Sequence, residues 1–121
     1  MSFDLGVWHT PTRLTDAEAG TLYADLCELR TGGVTPHPAV DAFYADLTAR
    51  YPELDTVPDD RIDDSDYCPW SCDLNRSPGH VLMACVWSQT RAVGEFVWNL
   101  AAKYRLALFD PQEGRLHYPG G

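Results

Sequence analysis

The chain has 121 residues, 45% hydrophobic and 22% charged, which suits one folded domain over 1–121 and excludes disordered, collagen-like and coiled-coil compositions. Nine basic residues against eighteen acidic ones leave a net charge of -9, so polyanions such as nucleic acid and anionic membranes are repelled. The longest apolar run, Val81 to Trp87, is far short of the ~18 residues of a membrane span, and MSFDLGVW lacks the basic-then-apolar pattern of a secretory signal, so a cytoplasmic location with reduced thiols is expected.

In chain order, Phe3, Leu5 and Val7 alternate with Asp4, Gly6 and Trp8 at the period of a half-buried strand. Thr15 and Glu18 form a capping box, with Leu14 and Ala19 spaced as a staple. Leu22, Leu26 and Leu29 then repeat at helical spacing up to Gly32-Gly33. Pro36 and Pro38 lead into a second helix whose inner face is Val40, Phe43, Leu47 and Tyr51, and Pro52 ends it.

From Glu53 to Asp66 the apolar period stops, and the turn-type clusters Pro58-Asp59-Asp60 and Asp63-Asp64-Ser65-Asp66 predict an exposed loop. Trp70, Cys72 and Leu74 alternate as a short strand. Ser77-Pro78-Gly79 then turns the chain into the apolar run His80 to Trp87, which suits a central strand buried on both faces. A third helix begins at Ser88 or Thr90, with Val93, Phe96, Val97, Leu100 and Tyr104 inward. Leu106 to Phe109 and Arg115 to Tyr118 are strands joined by the turn Asp110-Pro111-Gln112-Glu113-Gly114.

The resulting order, β-α-α-β-β-α-β-β, predicts an α+β domain. Its expected form is a mainly antiparallel sheet with the helices on one face, a split β-α-β or ferredoxin-like variant. That architecture hosts many functions and supplies none.

Motif-borne chemistry is scarce. Cys68 and Cys72, with His80 near in sequence, are spaced too loosely for a zinc pair and do not form a C-x-x-C redox motif. Cys27 and Cys85 lie in apolar patterns expected of the core. The run from Asp59 to Asp66 lacks the glycine and distal glutamate of a calcium loop, so no metal is assigned. His9, His80 and His117 fall in or beside strands and would have to converge to make a site, but no nucleophile-elbow, zinc-protease, P-loop or dinucleotide motif accompanies them. No catalytic residue and no cofactor is therefore expected.

Charge distribution is more informative. Between Glu53 and Asp66 lie Glu53, Asp55, Asp59, Asp60, Asp63, Asp64 and Asp66 with only Arg61 against them, so two thirds of the charge excess sits in fourteen residues. Tyr67 and Trp70 follow directly, and aromatic residues bordered by carboxylates have the composition of a protein-binding hot spot with a charged rim. The expected partner-binding set is Asp59, Asp60, Asp63, Asp64, Asp66, Tyr67 and Trp70. Trp8, Trp87 and Trp98 are expected in the core or at its margin.

Residues 1–11, MSFDLGVWHTP, together with residues 98–119, WNLAAKYRLALFDPQEGRLHYP, resemble a group of small bacterial proteins, some of which are similar to immunity proteins that protect a cell from a polymorphic toxin. The resemblance implies a non-catalytic inhibitor whose partner is a protein, such as a basic toxin domain. The alternatives are a module that pairs with itself, as a homodimer, and a small enzyme with His80 or His117 in a carboxylate-lined pocket.

Overall fold

The computed structural model describes residues 2–121. Five strands, β1 (Ser2–Trp8), β2 (Asn75–Ser77), β3 (His80–Val86), β4 (Ala107–Asp110) and β5 (Arg115–His117), form one sheet in the order β2-β3-β1-β4-β5, with every neighbouring pair antiparallel. Three helices complete the fold: α1 (Asp16–Cys27), α2 (Pro38–Arg50) and α3 (Thr90–Tyr104). None is long and apolar enough to cross a membrane.

The sheet has two cores, one on each face. Leu5 and Val7 of β1, Val81, Met83 and Cys85 of β3 and Leu108 of β4 pack with Val40, Phe43 and Leu47 of α2 and Val93, Val97 and Leu100 of α3. The opposite parity, Trp8, Leu82, Ala107 and Phe109, packs with Ala19, Leu22 and Leu26 of α1. The expectation of helices on one face is therefore corrected. A central strand apolar at both parities has two faces to cover, and α1 covers the second. With α1 there and β5 added beyond β4, the sheet is not a simple ferredoxin-like one.

Local signals explain the starts of α1 and α2. Thr15 Oγ1 accepts from the Glu18 amide at 3.1 Å, and Glu18 Oε1 accepts from the Thr15 amide at 2.9 Å, closing the capping box of α1. Pro38 opens α2, where His37 Nδ1 accepts the Ala39 amide at 3.0 Å. The helical spacing through Leu29 overshoots, however. The helix α1 ends at Cys27, and Leu29 adopts a left-handed conformation with its side chain 74% exposed, while the Leu29 and Arg30 amides close back on the Leu26 and Asp25 carbonyls.

The strand expected over Trp70 to Leu74 lies later, at Asn75–Ser77, and Trp70 makes only an isolated bridge to Cys85. The spacing of Trp70, Cys72 and Leu74 gave the strand-like pattern, yet Cys72 is exposed, and Trp70 and Leu74 reach the core from an irregular segment. Residues 53–66 form an exposed connection with two single-turn helices, Leu54–Thr56 and Asp59–Arg61.

Candidate binding surface

The acidic segment divides into carboxylates that hold structure and carboxylates that do not. Glu53 accepts from the Tyr44 hydroxyl at 2.7 Å and from the Leu74 amide at 3.1 Å, joining α2 to the approach to β2. Asp64 accepts from the Asp66 and Tyr67 amides and pairs with Arg61 at 3.1 Å, and that guanidinium holds its carboxyl below the usual aspartate range. Asp66 accepts from Gln89 Nε2 at 2.9 Å, which docks the segment onto the start of α3. Asp55, Asp59, Asp60 and Asp63 are exposed, with no side-chain hydrogen bond or ion pair among the described residues.

The two expected aromatic anchors behave differently. Tyr67 is half-buried against the core, and the Arg61 guanidinium lies 3.7 Å over its ring. Trp70 is only 3% exposed, with its indole N–H donating to the Tyr51 carbonyl at 3.1 Å and its ring edge-on to the Tyr51 ring. Trp70 is therefore corrected from a surface anchor to a core residue. Its ring fills the space between α2 and β3, and its one polar atom is satisfied internally.

The surface aromatics are ones the sequence pattern hides. Trp87 is 52% exposed and Trp98 is 42% exposed, against the expectation that both lie in or at the core. Trp87 sits in the single helical turn Trp87–Gln89 that carries Gln89, the residue bonded to Asp66, and it meets Phe3 edge-on at 6.1 Å. Phe3 and Trp98 then line a common cleft of about 240 Å³ with Leu5, Gly94, Leu108, Asp110, Glu113 and His117. The acidic segment is thus joined through Gln89 to the turn that carries Trp87, Trp87 meets Phe3, and Phe3 shares the cleft with Trp98, Asp110 and Glu113. Periodicity could not find this arrangement, because strand and helix patterns report what is apolar and not which apolar side chain the next layer leaves uncovered.

The histidines do not converge. His9 packs against His37 with ring centroids 4.3 Å apart, and His117 meets the Trp98 ring at 5.2 Å. Burial and the nearby His37 lower the pKa of His9. His80 is 0% exposed, with Nδ1 2.6 Å from Ser77 Oγ and Nε2 3.0 Å from Asn75 Oδ1. Asn75 in turn donates to the Leu26 carbonyl at 2.9 Å. A serine, a histidine and an orienting amide thus lie in a row, but the imidazole is sealed from solvent and burial lowers its pKa to about 4. The row clamps the β2–β3 turn to the end of α1.

Cys68 and Cys72 also part company. Cys68 is buried with its Sγ 3.2 Å from the Pro52 carbonyl, while Cys72 is exposed and lines a cleft on the α1 face with Asp4, Tyr23 and Cys27. Cys27 is itself exposed there, not in the core as expected, whereas Cys85 is buried and its thiol is pushed up to about 11 by that burial. Among the described residues no group of three or more His, Cys, Asp or Glu side chains is placed to hold a metal ion.

Comparison of the chain with protein-family models, curated proteins and solved structures gives no match.

Proposed function

We propose that this chain is a non-catalytic binding protein of the immunity type, which neutralises a bacterial toxin enzyme by covering a basic site on it. The observation that carries the reading is the set of exposed carboxylates Asp55, Asp59, Asp60 and Asp63, without side-chain partners among the described residues, in a segment that Asp66 joins through Gln89 to the turn carrying the exposed Trp87. Carboxylates that serve no contact of their own fold are available for a partner, and their concentration in one segment raises the encounter rate with a positive surface. The exposed rings of Trp87, on the turn joined to the segment, and of Trp98, in the cleft beyond Phe3, would supply the apolar contact that slows dissociation. Trp87 and Trp98 take the anchoring role that the sequence pattern gave to Trp70. Inhibition by occlusion needs no catalytic residue and no cofactor.

The accompanying architectural reading is a split β-α-β unit, β1-α2-β2 with β3 between the two strands, to which α1 and β5 are additions. It carries no activity of its own.

The test is reversal of Asp55, Asp59, Asp60 and Asp63 to lysine, the carboxylates without a structural contact, with association measured against a candidate toxin domain encoded next to this gene. The expected result is a fall in association rate of roughly tenfold or more at low salt, narrowing as salt is added. An unchanged rate at low salt removes the segment from the interface.

The exposed Trp87 and Trp98 rings also fit a second reading, pairing between two copies of this chain. Sedimentation separates the two. A dimer that W87A or W98A dissociates, and that the loop reversal leaves intact, favours self-association.

A further inference from the structure

We infer that the cleft between α3 and the β4–β5 hairpin is a receptor for one arginine side chain of the protein partner. This rests on the reading that the chain binds a basic protein surface, and it adds a specific seat to it.

The cleft of about 240 Å³ has an apolar floor and wall, Phe3, Leu5, Leu108 and Trp98, and a mouth carrying Asp110, Glu113 and His117. No lysine or arginine lines it. Arg115 faces Asp110 across the β4–β5 ladder without forming an ion pair, and Arg91 is taken up by Glu95 at 3.4 Å on the outer side of α3. One oxygen of Asp110, Oδ1, is occupied by Gln112 and by the Glu113 amide within the turn. Its Oδ2 and the Glu113 carboxylate have no partner among the described residues.

The chemistry selects a flat organic cation. A guanidinium can lie on the exposed face of Trp98 while its N–H groups reach the carboxylates, and its methylene stem matches the apolar lining. Ammonium satisfies the charge but not the stacking. The Trp98 ring meets His117 edge-on on one side, at 60° between the ring planes, which restrains the ring before binding.

Gly94 supports the same reading. It lies inside α3, where glycine is disfavoured relative to alanine. A Cβ there would meet only Phe3 Cε2, at an ordinary 3.8 Å, so fold packing does not demand the missing side chain. Its absence leaves the cleft open between Phe3 and Trp98.

The test is a backbone and indole NMR titration of the full chain with the peptides acetyl-Gly-Arg-Gly-amide and acetyl-Gly-citrulline-Gly-amide, which share shape and differ in charge. The expected result is a saturable movement of the Trp98 indole N–H and of the α3 and β5 amides with the arginine peptide. Citrulline should bind roughly tenfold or more weakly, and W98A, G94L and the double variant D110N/E113Q should each weaken arginine several-fold. Equal binding of the two peptides overturns the proposal without relying on any variant. Movement confined to residues 53–66 also overturns it, while leaving the acidic-surface reading standing. Saturable binding at the cleft, combined with toxin association that the loop reversal does not change, upholds the seat and removes the loop mechanism.

Discussion

The indole N–H of Trp70 donates to the main-chain carbonyl of Tyr51 at 3.1 Å, and the two rings meet edge-on with centroids 5.9 Å apart. This contact fastens the chain just after the acidic segment to the residue that ends α2, so the segment is anchored at both ends while its middle stays in solvent. Truncation of Trp70 to alanine is expected to cost about 3–5 kcal/mol, the range for large aromatic residues removed from a core. Trp70→Phe should cost about 1–3 kcal/mol, because the buried Tyr51 carbonyl loses its donor. Urea unfolding measures both, and a W70A midpoint close to the parent would remove Trp70 from the core.

How far the sequence could be read depended on whether a signal was local. The Thr15–Glu18 box, Pro38 and the apolar run of β3 each act within a few residues, and each appears where its local chemistry places it. The face of the sheet covered by α1 depends on which layer meets Leu82, Trp8 and Phe109, which no local window contains. The same limit applies to the candidate surface. That Asp59, Asp60 and Asp63 are exposed follows from composition and turn chemistry. That Trp70 is buried while Trp87 and Trp98 are open follows from long-range packing, so the pattern exchanged their roles.

Tryptophan fluorescence checks that exchange directly. Trp87 and Trp98 should carry the red-shifted, acrylamide-quenchable emission, and Trp8 and Trp70 the blue, protected part. The variants W87F and W98F should each remove quenchable intensity, and the double variant most of it. Trp8→Phe provides the buried control, since its indole nitrogen has no partner among the described residues and the change breaks no hydrogen bond. Loss of quenchable emission in W70F would place the surface aromatics wrongly.

His80 sets a pH dependence of stability. An unfolded imidazole takes up its proton near 6.5, whereas burial holds the folded one at about 4, so between these values the unfolded chain binds more protons. The stabilisation from neutral His80 is complete above pH 6.5 and is lost as pH falls toward 4, to a total of about 3 kcal/mol. His80→Gln retains a polar side chain at the Asn75–Ser77 clamp without a titrating group. It should be less stable than the parent at pH 7 and show a flatter decline between pH 6.5 and 4. Parallel stability curves for the two proteins across that interval would exclude His80 as the source.

Glu53 and the neighbouring aspartates carry the same charge in different roles, and stability should separate them. Glu53→Ala removes the acceptor for both the Tyr44 hydroxyl and the Leu74 amide, and is expected to cost about 1–3 kcal/mol. The triple variant D59N/D60N/D63N removes three carboxylates without internal partners and should leave stability within about 0.5 kcal/mol of the parent, shifted if at all toward greater stability at low salt as mutual repulsion falls. Urea unfolding at low and moderate salt measures both proteins. A triple variant that unfolds as readily as E53A would mean that those three carboxylates are committed to the fold, and the surface proposed for the partner would lose its free charges.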